Sequence, residues 1–348
     1  MSASLALPGG GCGRPLRPVF DTPDASLAWP PPPAAPRLRY IGQLRAAADL
    51  KAPRRVLQLL GDFVAGKKKS AELYGPQDVL CTPDGRRVWI ADPGGRCLHL
   101  FDLHRRRYRR ITHAGGAPLV SPVGLCGGGK GAFFVCDSQN GAIFRLSDRT
   151  GLTLAELHLP DALRRPVALY YDRATDELFV VDVWAHDIKV LDGGGRLLRT
   201  IGRRGTGPGE FNYPSDIVAD DDFIWVADTG NHRVQGLRRS GRPAVSFGRA
   251  GDAPGDMAFP RALAVDRDRH VYVVDGRFEN LQLFDRRGRL LMFLGEEGRG
   301  PGEFWLPAGI SIDAVDRIWI CDSYNRRVQV FQYLTATDEN EHGDDGDQ

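Results

Sequence analysis

One set of candidate side chains stands just after a proline that recurs six times. Pro76, Pro122, Pro166, Pro214, Pro260 and Pro307 are followed by Gln77 and Asp78, Val123 and Gly124, Val167 and Ala168, Ser215 and Asp216, Arg261 and Ala262, and Ala308 and Gly309. Asp78 and Asp216 are the carboxylates of this series, and Arg261 is its one cation. A hard-cation site wants several oxygen ligands and a zinc site wants three or four His, Cys or carboxylate ligands, so two carboxylates fall short of either. No histidine falls in the series; His99, His104, His113, His158, His186, His232 and His270 lie elsewhere. No CxxC, CxxCH or Cys/His pair with zinc spacing is present, which disfavours thiolate metal sites and covalent haem. No cofactor is expected. The glycine strings Gly205 to Gly209 and Gly298 to Gly302 lead into strands rather than a helix and lack GK[ST], so they read as turns and not as phosphate cradles.

What positions these residues is a repeat. The six prolines are 46, 44, 48, 46 and 47 residues apart, and a second marker, Asp92, Asp137, Asp182, Asp228, Asp275 and Asp322, keeps spacings of 45, 45, 46, 47 and 47. Two markers holding one period through six copies identify a repeat architecture. In its clearest copy, GTGPGEFNYPSDIVADDDFIWVADTGNHRV, a loop leads to a strand opened by Pro214, then an acidic turn, then the strand FIWVAD and the turn TGNHR.

That unit resembles the NHL repeat, most closely in GPGEFNYPSDIVADDDFIWVADTGNHRV and GPGEFWLPAGISIDAVDRIWICDSYNRRV. The resemblance covers roughly residues 37 to 334 and is strongest in the last three copies. It implies an all-β fold: a six-bladed β-propeller of four-stranded antiparallel blades, with PSDIVAD, FIWVAD, RVQGL and AVSFG as the strands of the fourth blade. RLRYIG, beginning at Arg37, echoes LLRTIG, AVSFG and LLMFLG, the outer strands that follow other copies, whereas the last copy ends at VQVFQYL without one. A strand at about 37–42 is therefore expected to close the ring by joining the last blade, which protects the sheet edges.

The domain reading follows: residues 1–36 a disordered Gly/Pro-rich leader or tether, 37–334 the propeller, and 335–348 a disordered acidic tail. The segment from 43 to 73 exceeds the usual connection and is expected to be an excursion with a helical turn or short strand, the LysLysLys run at 67 to 69 being a solvated turn. No apolar run approaches the ~20 residues of a membrane-spanning helix. The net charge is +2, but the tail holds six acidic residues and no Lys or Arg, leaving 46 basic against 38 acidic residues in the body. Cys136 and Cys321 precede the repeat aspartate where other copies have Ala or Val, so they read as buried small hydrophobes.

In an up-and-down blade the loop entering the first strand and the turn after the second share a face, where function in such folds concentrates. From these loops come Trp184, His186, Arg203, Arg204, Tyr213, His232, Arg277, Phe278, Trp305, Tyr324 and Arg326, aromatic and Arg types enriched at protein interfaces. Asp228, Asn231 and Arg233, with Asp322, Asn325 and Arg327, read instead as turn-holding residues. The expected function is a non-enzymatic scaffold whose loop face binds a protein. The resemblance leaves two alternatives open. One is a metal-dependent hydrolase or lyase at the mouth of the central channel, drawing on Asp78, Asp216 and Arg261. The other is single-stranded RNA binding, which Glu210, Glu279, Glu296, Glu297 and Glu303 in the same loops oppose. Cys12, in a glycine run ahead of WPPPPAAP, resembles the lipidated cysteine of bacterial NHL-repeat lipoproteins, although no charged, long apolar signal segment precedes it. That resemblance implies a cell-envelope or periplasmic location, a possible lipid anchor as the sole membrane attachment, and an envelope protein or multihaem cytochrome as partner. A cytoplasmic protein with an incidental cysteine is the alternative.

Overall fold

The structure is a computed structural model that describes residues 19–20, 27–50, 72–157 and 163–334. Cys12, Lys67 to Lys69, His158 and the acidic segment 335–348 lie outside the described residues.

Each repeat folds into one four-stranded antiparallel sheet, and hydrophobicity follows depth in the ring. In the fourth blade the second strand, Ile224–Asp228, is buried at every residue because neighbouring blades cover both its faces. The outermost strand, Pro243–Phe247, is largely exposed. The first strands of the six blades touch one another in chain order, and the sixth returns to the first. Blades 1 and 4, which carry Asp78 and Asp216, are therefore opposite each other across the axis.

The ring closes as the echo at residue 37 implies. Leu38–Leu44 pairs antiparallel with Arg327–Tyr333 of the last blade, in register from Leu38 opposite Tyr333 to Leu44 opposite Val328. One feature differs from the tether expected over residues 1–36. Ala28–Trp29 adds a fifth strand outside Leu38–Leu44, and the Trp29 indole lies edge-on to Phe331 with centroids 5.8 Å apart. Gly302 makes the space for it: a Cβ there would come within 2.4 Å of the indole, and its φ of +80° suits glycine. The partly buried indole packs against the cluster around Phe331 and so ties this segment to the last blade. Of the long connection, the described part contains a short 3-10 turn, Ala47–Leu50.

The repeat aspartates lock the loops to the ring. All six are fully buried, and each accepts backbone N–H groups from the loop entering its own blade: Asp92 from Tyr74 and Gly75, Asp137 from Val120 and Ser121, Asp182 from Arg164 and Arg165, Asp228 from Asn212, Asp275 from Ala258 and Phe259, and Asp322 from Trp305. A buried carboxylate requires such donors. In blade 4, Asn231, Arg233 and Gln235 complete the set with side-chain bonds to Asp228 of 2.9, 2.8 and 3.1 Å; Asn325, Arg327 and Gln329 do the same for Asp322. These residues hold the turns, as the repeat pattern suggests. Blade 1 departs from it, with Cys97 and His99 in the places of the Arg and Gln. The His99 ring bonds Asp92 at 3.1 Å, Cys97 at 3.2 Å and the Tyr108 hydroxyl at 2.7 Å. The five cysteines of the described chain are free and buried.

Candidate functional site

Candidate side chains gather in two places, the central channel and the loop face around its mouth. Five of the six first strands begin at their proline and that of blade 1 begins at Asp78, so the residues that follow the prolines are carried to the axis. Eleven of the twelve side-chain positions in that series line a cavity of about 30 Å³, with Gly124 the one outside it. Such a volume admits a water or two, so a substrate would have to sit above the channel. Asp78 on blade 1 and Asp216 on blade 4 border the cavity, half-exposed to its narrow lumen while protein surrounds them on all sides. Burial pushes both carboxyls up, Asp216 to about 7 and Asp78 well above the ordinary range, the latter raised further by the charge of Asp216.

Their hydrogen bonds explain why they are tolerated. Asp78 accepts from the Val79 N–H at 2.8 Å and, across to blade 2, from the Leu125 N–H at 2.7 Å. Asp216 repeats the pattern with Ile217 at 2.8 Å and Leu263 of blade 5 at 2.7 Å. Each therefore staples two neighbouring inner strands. A carboxyl near neutrality is of the kind that moves protons, but both oxygens of each are committed to the backbone. Among the described residues no group of three His, Cys, Asp or Glu side chains is arranged to hold a metal ion. At the mouth, Arg261 of blade 5 reaches across to blade 1, where its Nη2 donates to Gln77 Oε1 at 2.9 Å.

The loop face surrounds that mouth. Seven aromatic side chains of the described chain are exposed, and six of them, Tyr74, Trp184, Tyr213, Phe259, Trp305 and Tyr324, belong to the entering loops or second turns; the seventh, Phe293, is on an outer strand. Trp305 and Tyr324 lie together, centroids 5.4 Å apart, with the Arg299 guanidinium 5.2 Å over the indole. Arg165 sits 4.8 Å over Trp184. Arg204, Arg277 and Arg326 are exposed, and Arg203 is exposed but paired with Glu210 at 2.8 Å.

Other residues expected on this face are engaged within it. His186 is buried: its Nδ1 accepts the Tyr213 N–H at 3.0 Å and its ring lies 4.4 Å from the Tyr213 ring. Burial and the nearby Arg204 charge lower its pKa. His232 Nδ1 donates to the Ala258 carbonyl at 2.9 Å, and Phe278 is half-buried. With Glu279, which accepts the Leu306 N–H, these histidines form a series. The left-handed residue of each turn, φ 58° at His186, 57° at His232 and 54° at Glu279, clasps the entering loop of the next blade. Burial, with Glu297 and two buried aspartates nearby, pushes Glu279 up to about 7. Tyr74 and Phe259 escape the motif reading. Their signal is position, one or two residues before the repeat proline, which Tyr213 and Trp305 share.

Comparison with known families agrees with this architecture. A model of the NHL repeat matches residues 211–237, and one of a 6-bladed beta-propeller family, DUF5128, matches residues 263–342. This chain is a six-bladed β-propeller with an NHL repeat in its fourth blade. Among solved structures, the propeller is similar to a protein of unknown function from Bacteroides thetaiotaomicron (TM-score 0.61, 14% identity, covering 77% of this chain and 72% of that one). It is also similar to an auxiliary nutrient binding protein from the same organism (TM-score 0.58, 15% identity, 76% and 70%) and to virginiamycin B lyase from Staphylococcus aureus (TM-score 0.56, 15% identity, 75% and 96%). At such identities the likeness is one of fold. No curated protein sequence matches the chain.

Proposed function

We propose that the propeller is a non-enzymatic binding scaffold that presents its loop face to a protein partner. The observation that carries this reading is the segregation of exposed aromatics: six of seven lie on one face, on loops fixed to the ring by buried aspartates. Rigid aromatic side chains lose little conformational entropy on docking and dominate interface energetics. One fold neighbour is named a nutrient binding protein and another a lyase, so the fold accommodates both binding and catalysis. The narrow channel and its backbone-committed carboxylates favour binding here.

The test is quantitative binding to a partner identified by cross-linking in the native host. Trp184→Ala combined with Tyr324→Ala is expected to weaken it by about 30-fold or more, on the order of 2 kcal/mol, while the melting temperature holds. Unchanged affinity refutes the face. The proposal extends to the cell envelope, with a lipid on Cys12 as anchor and an envelope protein or multihaem cytochrome as partner; this rests on the resemblance of the N-terminal segment to bacterial lipoproteins. Mass spectrometry of the protein from its native host checks it: an N-terminal peptide carrying unmodified Cys12 refutes the anchor.

A further inference from the structure

We infer that Arg261 is the anchor for a carboxylate of the docking partner, an acidic side chain or chain end presented beside an apolar group at the mouth of the channel. This rests on the reading of the loop face as a docking surface and names the chemistry at its centre. The guanidinium is half-buried at the mouth of the ring, and burial is what lowers its pKa. Its one hydrogen bond among the described residues is to a neutral carboxamide, Gln77 Oε1, and no carboxylate lies within ion-pair distance. Among the described residues Nε and Nη1 have no acceptor, yet they are not sealed from solvent and so remain open to an incoming group.

The enclosed cations Arg233, Arg327 and Lys189 each have a carboxylate, Asp228, Asp322 and Asp187. Arg261 lacks this. The acid nearest in influence, Glu279, spends its carboxylate on the Leu306 N–H of the next blade. An enclosed charge without a counter-charge is costly, and a carboxylate matches the planar fork of a guanidinium better than any other common protein group. The apolar neighbour has a place as well. Phe259, exposed on the loop entering the same blade, is separated from Arg261 by Gly276, whose missing Cβ would lie 3.3 Å from the Phe259 ring and 3.4 Å from Arg261 Cδ. A phosphate backbone needs a track of cations, whereas here a single guanidinium stands in the mouth with Glu279 near it.

The experiment follows the arginine Nε–H resonances of the isotopically labelled full chain during titration with N-acetyl-phenylalanine, its amide, and inorganic phosphate. Expected is a saturable shift of one resonance with the acid, absent in Arg261→Gln, no shift with the amide, and at least a tenfold loss of affinity in that variant by calorimetry. Equal response to acid and amide in the wild-type protein, a response to phosphate instead, or undiminished acid binding by a folded Arg261→Gln protein overturns the assignment. The acid-against-amide comparison needs no variant, so it decides the matter even if the substitution impairs folding. Loss of the carboxylate response with partner capture intact refutes the anchor alone; capture indifferent to Trp184→Ala with Tyr324→Ala refutes the face beneath it.

Discussion

Replacing Asp216 by Asn should make the propeller's stability depend less on pH. In the folded protein burial pushes this carboxyl up to about 7 from an ordinary value of 3.8. Between those values the folded chain holds a proton that the unfolded chain has released, so stability falls as pH rises from about 4 and levels off above about 7. The whole interval corresponds to on the order of 4 kcal/mol, of which about 2 to 3 kcal/mol falls between pH 5 and pH 8. Asn removes the ionisation but replaces one acceptor oxygen with a donor facing the N–H of Ile217 or Leu263, which costs about 1 to 3 kcal/mol at any pH. Asp216→Asn is therefore expected to be destabilising at pH 5 and close to neutral, or stabilising, at pH 8. The assay is urea unfolding of both proteins at the two pH values. The quantity that matters is the double difference, in which every titration common to both chains cancels. Removing Asp216 also lifts its charge from Asp78, which pushes the difference in the same direction. A double difference under about 0.5 kcal/mol, or one of opposite sign, refutes the account of a buried, high-pKa staple across the inner strands.

Three further outcomes follow from the ring. Asp228→Ala orphans the Asn212 N–H and leaves the Arg233 guanidinium without its carboxylate; a loss of about 3 to 5 kcal/mol is expected in denaturant unfolding. Gly309→Ala places a Cβ 2.5 Å from Asp78 Cα at the seam between the last blade and the first, and the backbone shift this forces should cost about 1 to 3 kcal/mol by the same measurement. His99→Gln restores the residue that blades 4 and 6 use. Burial opposes charge on His99, but its bonds to Asp92 and Cys97 outweigh it and raise its pKa, so the stability it lends is full at pH values below the imidazole's ordinary range and fades as pH rises through the raised value. The variant should accordingly lose more stability at pH 6 than at pH 9, and a loss independent of pH would show that His99 is neutral throughout.

The fold was legible because the ring constrains two residues in every copy. A proline that starts an inner strand and an aspartate that ties two loops keep their spacing even where the loops between them, DPGGRC or DVWAHDI, have drifted. The channel series was legible for the same reason, since its members sit at fixed offsets from that proline. Loop exposure was not. Whether a turn residue faces a partner or a neighbouring blade depends on what the next blade offers: His186 finds the free N–H of Tyr213 and turns inward, while Trp184, two residues earlier, lies under Arg165 and stays exposed. Nor does spacing reveal Trp29, whose docking depends on the missing side chain of Gly302, some 270 residues away in the chain. These contacts are made between copies, whereas the repeat records what each copy needs within itself. The residues the repeat leaves free, Tyr74, Trp184, Phe259, Arg261, Trp305 and Tyr324, are accordingly those in which a specific function can be written without breaking the bonds that hold the turns, and all of them border one face.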